Sequence, residues 1–183
     1  NGLPVYCLDT IEKELKDVDF KIFIAIFWNK LNSDRGKVFE YCLSRHLNLV
    51  SLISPSAVIM NASIGRNCLI GDNCVLYAHS VIDDGVVLRS SNVVGYNTHI
   101  YKHTFMAFGS VVGGNSKIGE QSFIGMNSVV NQNVEVGKKC IIGSGVALKH
   151  NLPPCTKISN SAESYKIKTY SEDIIESKLL AGI

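Results

Sequence analysis

Ser110-Val-Val-Gly-Gly-Asn-Ser-Lys-Ile-Gly-Glu-Gln-Ser-Phe-Ile-Gly-Met-Asn-Ser-Val-Val130 repeats one pattern every six residues: a small residue, an aliphatic two places later, then glycine. Working outward from it, the aliphatic recurs at Val58, Ile64, Ile70 and Leu76, and onward to Ile142 and Leu148, as sixteen hexads in a row. The small position is filled by Ala62, Cys68, Cys74, Ser80, Ser110, Ser116, Ser122, Ser128 and Cys140, with Val86, Val134 and Val146 larger. Both columns are expected to point inward. Glycine after the aliphatic, as at Gly65, Gly95 and Gly125, suits a chain that turns sharply as each short strand ends. An amphipathic helix repeats every 3.6 residues and a hairpin sheet every 2, so period six with glycine punctuation leaves a parallel β-helix. Three hexads make one triangular coil. The spacing therefore predicts a little over five coils, with no slip in register and no inserted loop, so any site must be built from corners and flat faces.

The third residue after the aliphatic gives a second column. On one corner it reads Asn61, His79, Asn97, Asn115, Asn133, Asn151. The other two corners read Asn67, Gly85, His103, Gln121, Lys139 and Asn73, Ser91, Gly109, Asn127, Gly145. Asparagine and glycine are the residues that best tolerate the left-handed backbone region, and stacked amides can bond from coil to coil, so the column, His79 included, reads as structural.

The 183 residues are 46% hydrophobic and 19% charged, an ordinary globular composition. A formal charge of +2 and a pI near 8.2 give no footprint for nucleic acid or an anionic membrane. The longest apolar run, Ile22 to Trp28, is too short to span a bilayer, and no signal-peptide pattern opens the chain. Six cysteines without a C-x-x-C pair, three of them in the inward small column, read as buried thiols in a reducing cytoplasm.

Three units are expected. Residues 1–53 read as a partial α/β unit: a helix signal at Asp9 to Lys16, a buried-strand run from Phe20 to Phe27, a helix capped by Ser33 through about Arg45, and a strand from Leu47 to Ile53. On the second helix Val38, Phe39, Cys42 and Leu43 share a face. Residues 54–152 are the coils, which Pro153 and Pro154 are expected to end. Residues 153–183 read as a cap, with Ser171, Ile174, Ile175, Leu179 and Leu180 forming a closing helix over exposed strand edges.

The chain resembles the hexapeptide-repeat acyltransferases, and within them the sialic acid O-acetyltransferase and bacillosamine-type sugar N-acetyltransferase group. The resemblance rests on Phe20 to Ile26, on Asn32 and Arg35, on Leu49 to Ala57, on the uninterrupted coils and on Ile142 to Lys149. It implies a left-handed parallel β-helix, a homotrimer, acetyl-CoA as acyl donor lying between subunits, and a sugar or nucleotide-linked amino sugar as acceptor. It also implies a glycine-rich strand and turn ahead of Asn1 that would complete sugar binding; a naturally short homologue is the alternative. Gly114, Met126 and Ser144 fall where the group lines its pantetheine groove.

Three positions depart from the group's pattern. The place of its general-base histidine, two after Val94, holds Tyr96, and the acidic neighbour is missing. The place of its second histidine, near the acetyl group, holds Phe105. The terminal Gly-x-Pro-Ala-Lys reads Ser159-Asn-Ser-Ala-Glu163. Amide formation still needs an unprotonated amine held close to the thioester, and orientation supplies much of the rate. Backbone N–H groups at glycine corners are candidate oxyanion donors. His99, just before inward Ile100, and His103, at the following corner, are the candidate replacement bases; Tyr96 reads as a packing or substrate-bonding group. Two other classes stay open. A γ-carbonic-anhydrase-like zinc enzyme would need His79, His99 and His103 to converge, and their hexad phases differ. A degenerate structural rod would bind no acyl donor. An ice-binding prism lacks its threonine ladder.

Overall fold

The computed structural model describes residues 2–160 and 166–175. From Leu52 the chain winds as a parallel β-helix of two-residue strands, seventeen of them among the described residues, between Leu52–Ile53 and Ala147–Leu148. Successive strands join three sheets in turn, so the rod is a triangular prism. Face A begins at Leu52–Ile53, face B at Val58–Ile59 and face C at Ser63–Ile64. Each strand's second residue points inward, and Ile70, Leu76, Leu88, Val94, Ile100, Met106 and Val112 are fully buried. Each such side chain contributes about 1.5–3 kcal/mol on leaving water, and the stacked column is the main stabilising term of the rod.

The left-handed corners run further than an asparagine column. From Asn61 to Gly145 all fifteen third positions hold φ between 52° and 70°, including those filled by histidine, serine, glutamine and lysine. The coil's path therefore dictates the conformation, and asparagine or glycine lowers its cost. Among the described residues one cross-coil amide pair is present, Asn97 Nδ2 donating to Asn115 Oδ1 at 2.8 Å. The glycines after the aliphatics have a different cause from the one the spacing suggested, since none of them has positive φ. They are required by close approach. A Cβ on Gly125 would lie 2.5 Å from the Ser144 nitrogen in the next coil. The small inward column bonds between coils: Thr98 donates to Gly113 O at 3.0 Å and Ser116 to Asn131 O at 2.9 Å. The Cys68, Cys74 and Cys140 thiols each reach a carbonyl at 3.1 Å. Burial pushes the Cys68 and Cys140 thiols up to about 11, so both stay protonated.

Both ends of the rod break the expected register. Val58 pairs with Val75 and Ile59 with Leu76, seventeen residues apart, whereas Ser63 pairs with Val81, eighteen apart. The inward residue of that strand is thus Ile59, not Val58, and the chain slips by one between Ile59 and Ile64. At the far end Val136 bridges Leu152 and Ile142 pairs with Ile158, sixteen apart. Asn151 consequently leaves the left-handed column, and its Oδ1 accepts from the Glu135 N–H at 2.8 Å. Pro153 and Pro154 do not end face A. Thr156–Ser159 adds a parallel strand to it, and Lys166–Thr169 folds back antiparallel on that strand.

Residues ahead of the rod form α1 (Ile11–Glu14) and α2 (Ser33–Ser44). The Phe20 to Phe27 run makes one parallel bridge, Ile22 with Leu49, in place of a full strand. Asp9 accepts from the Tyr41 hydroxyl at 2.5 Å, and Glu12 pairs with Arg45, so both acids tie α1 to α2. Asn32 holds the capping position expected of Ser33, in a left-handed conformation at the end of three such residues, Lys30, Leu31 and Asn32. Non-glycine residues there cost on the order of 1–2 kcal/mol each. What the turn gains is Leu31, fully buried against Val87, Phe105 and Phe123 on the outside of face A. Ile175 of the short helix α3 (Glu172–Ile175) joins the same cluster; Leu179 and Leu180 lie outside the described residues.

Candidate functional site: two corners and a groove

The expected site residues fall at four separate places on the prism. Tyr96 and Gly114 stack on the corner between faces B and C, where the Tyr96 ring covers Gly114 so closely that a Cβ would sit 2.7 Å from it. Asn115 Nδ2 lies 3.4 Å from the Tyr96 hydroxyl. Met126 and Ser144 stand on the corner between faces A and B, His99 on face C, and His103 on the corner between C and A. His79 shares the corner of Tyr96, so no two of the three histidines occupy one face or corner.

His99 has the acidic partner that its sequence neighbours lack. Asp83 Oδ1 lies 2.9 Å from His99 Nε2, and the imidazole stacks on Tyr101 at 3.9 Å between ring centroids. A carboxylate only accepts, so Nε2 carries a proton, and in the tautomer this selects for the neutral ring the lone pair is on Nδ1. The pairing spans adjacent coils: Asp83 follows inward Ile82, His99 precedes inward Ile100, and Ile82 pairs with Ile100. The sixteen-residue spacing, one coil less two, is the signal that would have revealed it.

His103 sits in a different environment. It is 3% exposed, meets the Phe39 ring edge-on at 5.2 Å, and its carbonyl accepts from Arg35 Nη2 at 3.1 Å. Its Nδ1 lies over Gly85 with no hydrogen-bond partner. Burial, then the charges of Arg35 and Lys102, push its pKa from 6.5 down to about 4. This geometry is that of a contact seating α2 on the rod. Arg35, itself buried, also donates to Ile26 O, and the Ile24 N–H donates to Asn67 Oδ1 at 2.7 Å on the same corner. Sequence reasoning had picked out Arg35 but not this function.

A groove runs along the outside of face A and its corner with B. Its lower part lies between Ser51 to Pro55 and Arg89. The middle is an aromatic cavity lined by Phe27, Trp28, Arg89, Phe105, Phe108, Phe123 and Met126. The upper part is lined by Met126, Ser144, Lys157 and Asn160. Shared residues join the three parts: Arg89 the lower two, Phe123 and Met126 the upper two. Of the terminal motif, Ser159 and Asn160 line its upper end, and residues 161–163 lie outside the described residues.

A profile of the family described as the GMPPB C-terminal domain matches residues 52–164, from the first strand of face A to beyond its last parallel strand. The chain belongs to that family. Among solved structures, the GMPPB C-terminal domain coils and the flanking units together superpose on the acetyltransferase domain of PglB from Neisseria gonorrhoeae. That match has a TM-score of 0.80 and 25% identity, and covers 93% of this chain and 80% of that one. The same PglB domain in complex with acetyl coenzyme A matches at 26% identity and a TM-score of 0.80, over 91% of this chain and 79% of that one. A mutant of perosamine N-acetyltransferase from Caulobacter crescentus, in complex with CoA and GDP-perosamine, has the same fold. Its TM-score is 0.81 at 24% identity, over 92% of this chain and 79% of that one. No curated protein sequence matches. No helix among the described residues is long and apolar enough to cross a membrane.

Proposed function

We propose that the chain is an acetyl-CoA-dependent acetyltransferase acting on a nucleotide-linked amino sugar in glycan biosynthesis, a cytoplasmic homotrimer of left-handed β-helices. The observation that carries this is the match over nine-tenths of the chain to an acetyltransferase domain whose complex holds acetyl-CoA. The trimer has support in face B. Its outward positions are Val75, Val93, Val111, Val129 and Ala147, an aliphatic ladder at the register of the strands. Face C carries His99, Lys117 and Glu135 at the same positions. The aliphatic face suits the centre of a threefold assembly, where three copies of it would line the axis away from water.

Turning the three copies of face B toward that axis sets the groove corner of one chain beside the Tyr96 corner of its neighbour. Met126 and Ser144 of one chain then line the pantetheine arm, and Gly114 beside Tyr96 closes it from the next. His99, next to that corner and oriented by Asp83, is the base. The amine nitrogen attacks the thioester carbonyl carbon, the C–N bond forms, and the C–S bond breaks to release the CoA thiolate. His99 Nδ1 takes the proton that the nitrogen loses and returns it to the departing sulfur. Base catalysis of this kind contributes about 10²–10⁴-fold, and positioning supplies the remainder. Tyr96 is assigned to holding the acceptor and His103 to seating α2.

The test is release of free thiol from acetyl-CoA with a panel of UDP- and GDP-linked amino sugars, alongside the mass in solution. Acceptor-dependent turnover by a trimer is expected. A chain that binds no acetyl-CoA and turns over no acceptor would leave the degenerate rod as the better reading.

A further inference from the structure

The aromatic cavity in the middle of the groove has a volume of about 390 Å³ and a lining that is almost wholly apolar. Phe27 and Trp28 hang over it from the N-terminal unit, with Trp28 edge-on to Phe105 at 5.3 Å. Phe105 stacks on Phe123 at 5.5 Å to make its floor. Arg89 forms one wall, its guanidinium carbon 5.4 Å from the Phe27 ring centroid and 4.7 Å from the Phe108 ring centroid, so both rings make cation–π contact with it. Phe27 and Trp28 are fixed there by the three left-handed residues that follow, which bury Leu31 beneath them. A strained turn that holds two aromatic rings over an open cavity, while Trp28 and Phe108 remain exposed, is costly as packing alone.

Resting on the reading above, in which Met126 and Ser144 line the pantetheine arm, the thioester end of the donor points along the groove into this cavity. Met126 is common to both parts. An acetyl group would leave most of the space empty, and a void lined by seven apolar side chains gains nothing from water. We propose that the cavity is an acyl pocket and that, besides acetyl, the chain takes and binds more tightly a thioester whose acyl group is larger and apolar, a straight chain of four or more carbons or a benzoyl group.

Calorimetric titration of the full chain with CoA, acetyl-CoA, butyryl-CoA, benzoyl-CoA and succinyl-CoA tests this. Each buried methylene should tighten binding about fourfold, so butyryl-CoA should bind about fifteenfold more tightly than acetyl-CoA. Ala107 lies inside the cavity. The Ala107→Leu variant should flatten the gradient and leave the affinity for CoA itself unchanged. Equal affinity for acetyl- and butyryl-CoA, with CoA bound, overturns the acyl pocket alone. Preference for succinyl-CoA would assign Arg89 to a carboxylate and overturn the apolar class. A gradient unaffected by Ala107→Leu would put the acyl group elsewhere, and failure to bind CoA would remove the donor reading on which the pocket rests.

Discussion

Acid should loosen the N-terminal unit through His103. The imidazole is 3% exposed between Phe39, Gly36 and Gly85; Arg35 and Lys102 disfavour its charged form and Asp84 favours it, while Lys37, Glu40, Glu120 and Lys139 line the groove beside it. Its folded pKa of about 4 lies below the ordinary 6.5, so between these values the unfolded chain binds a proton that the folded chain refuses. Stability therefore falls as pH falls through that window, is unaffected by this group above pH ~6.5, and levels off once the folded pKa is passed. Integrating from neutral pH to pH 4 gives a loss of about 3 kcal/mol, a large share of the stability of an ordinary domain. The control is His103→Asn, since asparagine is the residue most often found at these left-handed corners and carries no titrating proton. Urea unfolding of both proteins from pH 8 to pH 4 should give curves parallel above pH ~6.5 and converging or crossing below it, with the wild type losing about 3 kcal/mol more. Two curves parallel throughout would mean that His103 takes up its proton in the folded state, and would refute the buried, neutral imidazole.

Three further outcomes are expected. Gly125→Ala places a Cβ 2.5 Å from the Ser144 nitrogen and should cost about 2 kcal/mol, whereas Gly145→Asn, at a corner with φ of 68° and only Asn160 nearby, should stay within about 0.5 kcal/mol; thermal melts distinguish them. His99→Gln should lower kcat by about 10²–10⁴-fold with the KM for acyl-CoA unchanged, and Asp83→Asn should lower it less; unchanged kcat in the first variant would remove His99 from the chemistry. Val111→Asp, in the middle of face B, should give a folded monomer without transferase activity, read by light scattering and circular dichroism, and a persisting trimer would exclude face B as the contact.

The rod was legible because a coil is one-dimensional: each residue's neighbours lie eighteen positions away, so period alone gives inward column, corner and sheet. That logic weakens where a coil lacks a neighbour. Val58 and Ile59 are both aliphatic, nothing lies beneath them, and hydrophobicity could not choose which of the two points in; strand pairing with Leu76 chooses Ile59. At the other end, Pro153 and Pro154 read as a stop, yet shortening the coil to sixteen residues lets Ile158 take its place beside Ile142. His99 and His103 looked alike in the sequence, since coil phase says only that each is off the inward column. What separates them is tertiary: Arg35 and Gly36, more than sixty residues upstream, close over one, while Asp83 in the coil below orients the other.

The same arithmetic explains why the proposed site is divided. The inward column drew attention because burial makes it uniform, but function follows the outward position one residue earlier, which differs by face. On face A it is Phe105, Phe123 and Ile141, covered by Leu31 and Ile175; on face C it is His99, Lys117 and Glu135, all polar; on face B it is valine, uncovered within the chain. In the proposed trimer the aliphatic face is buried by turning it toward the other two copies. Doing so leaves the two corners that border it as the place where chains meet. Those corners carry Tyr96 and Gly114 on one side and Phe108, Met126 and Ser144 on the other, so the outward valines select which residues a donor and an acceptor would meet.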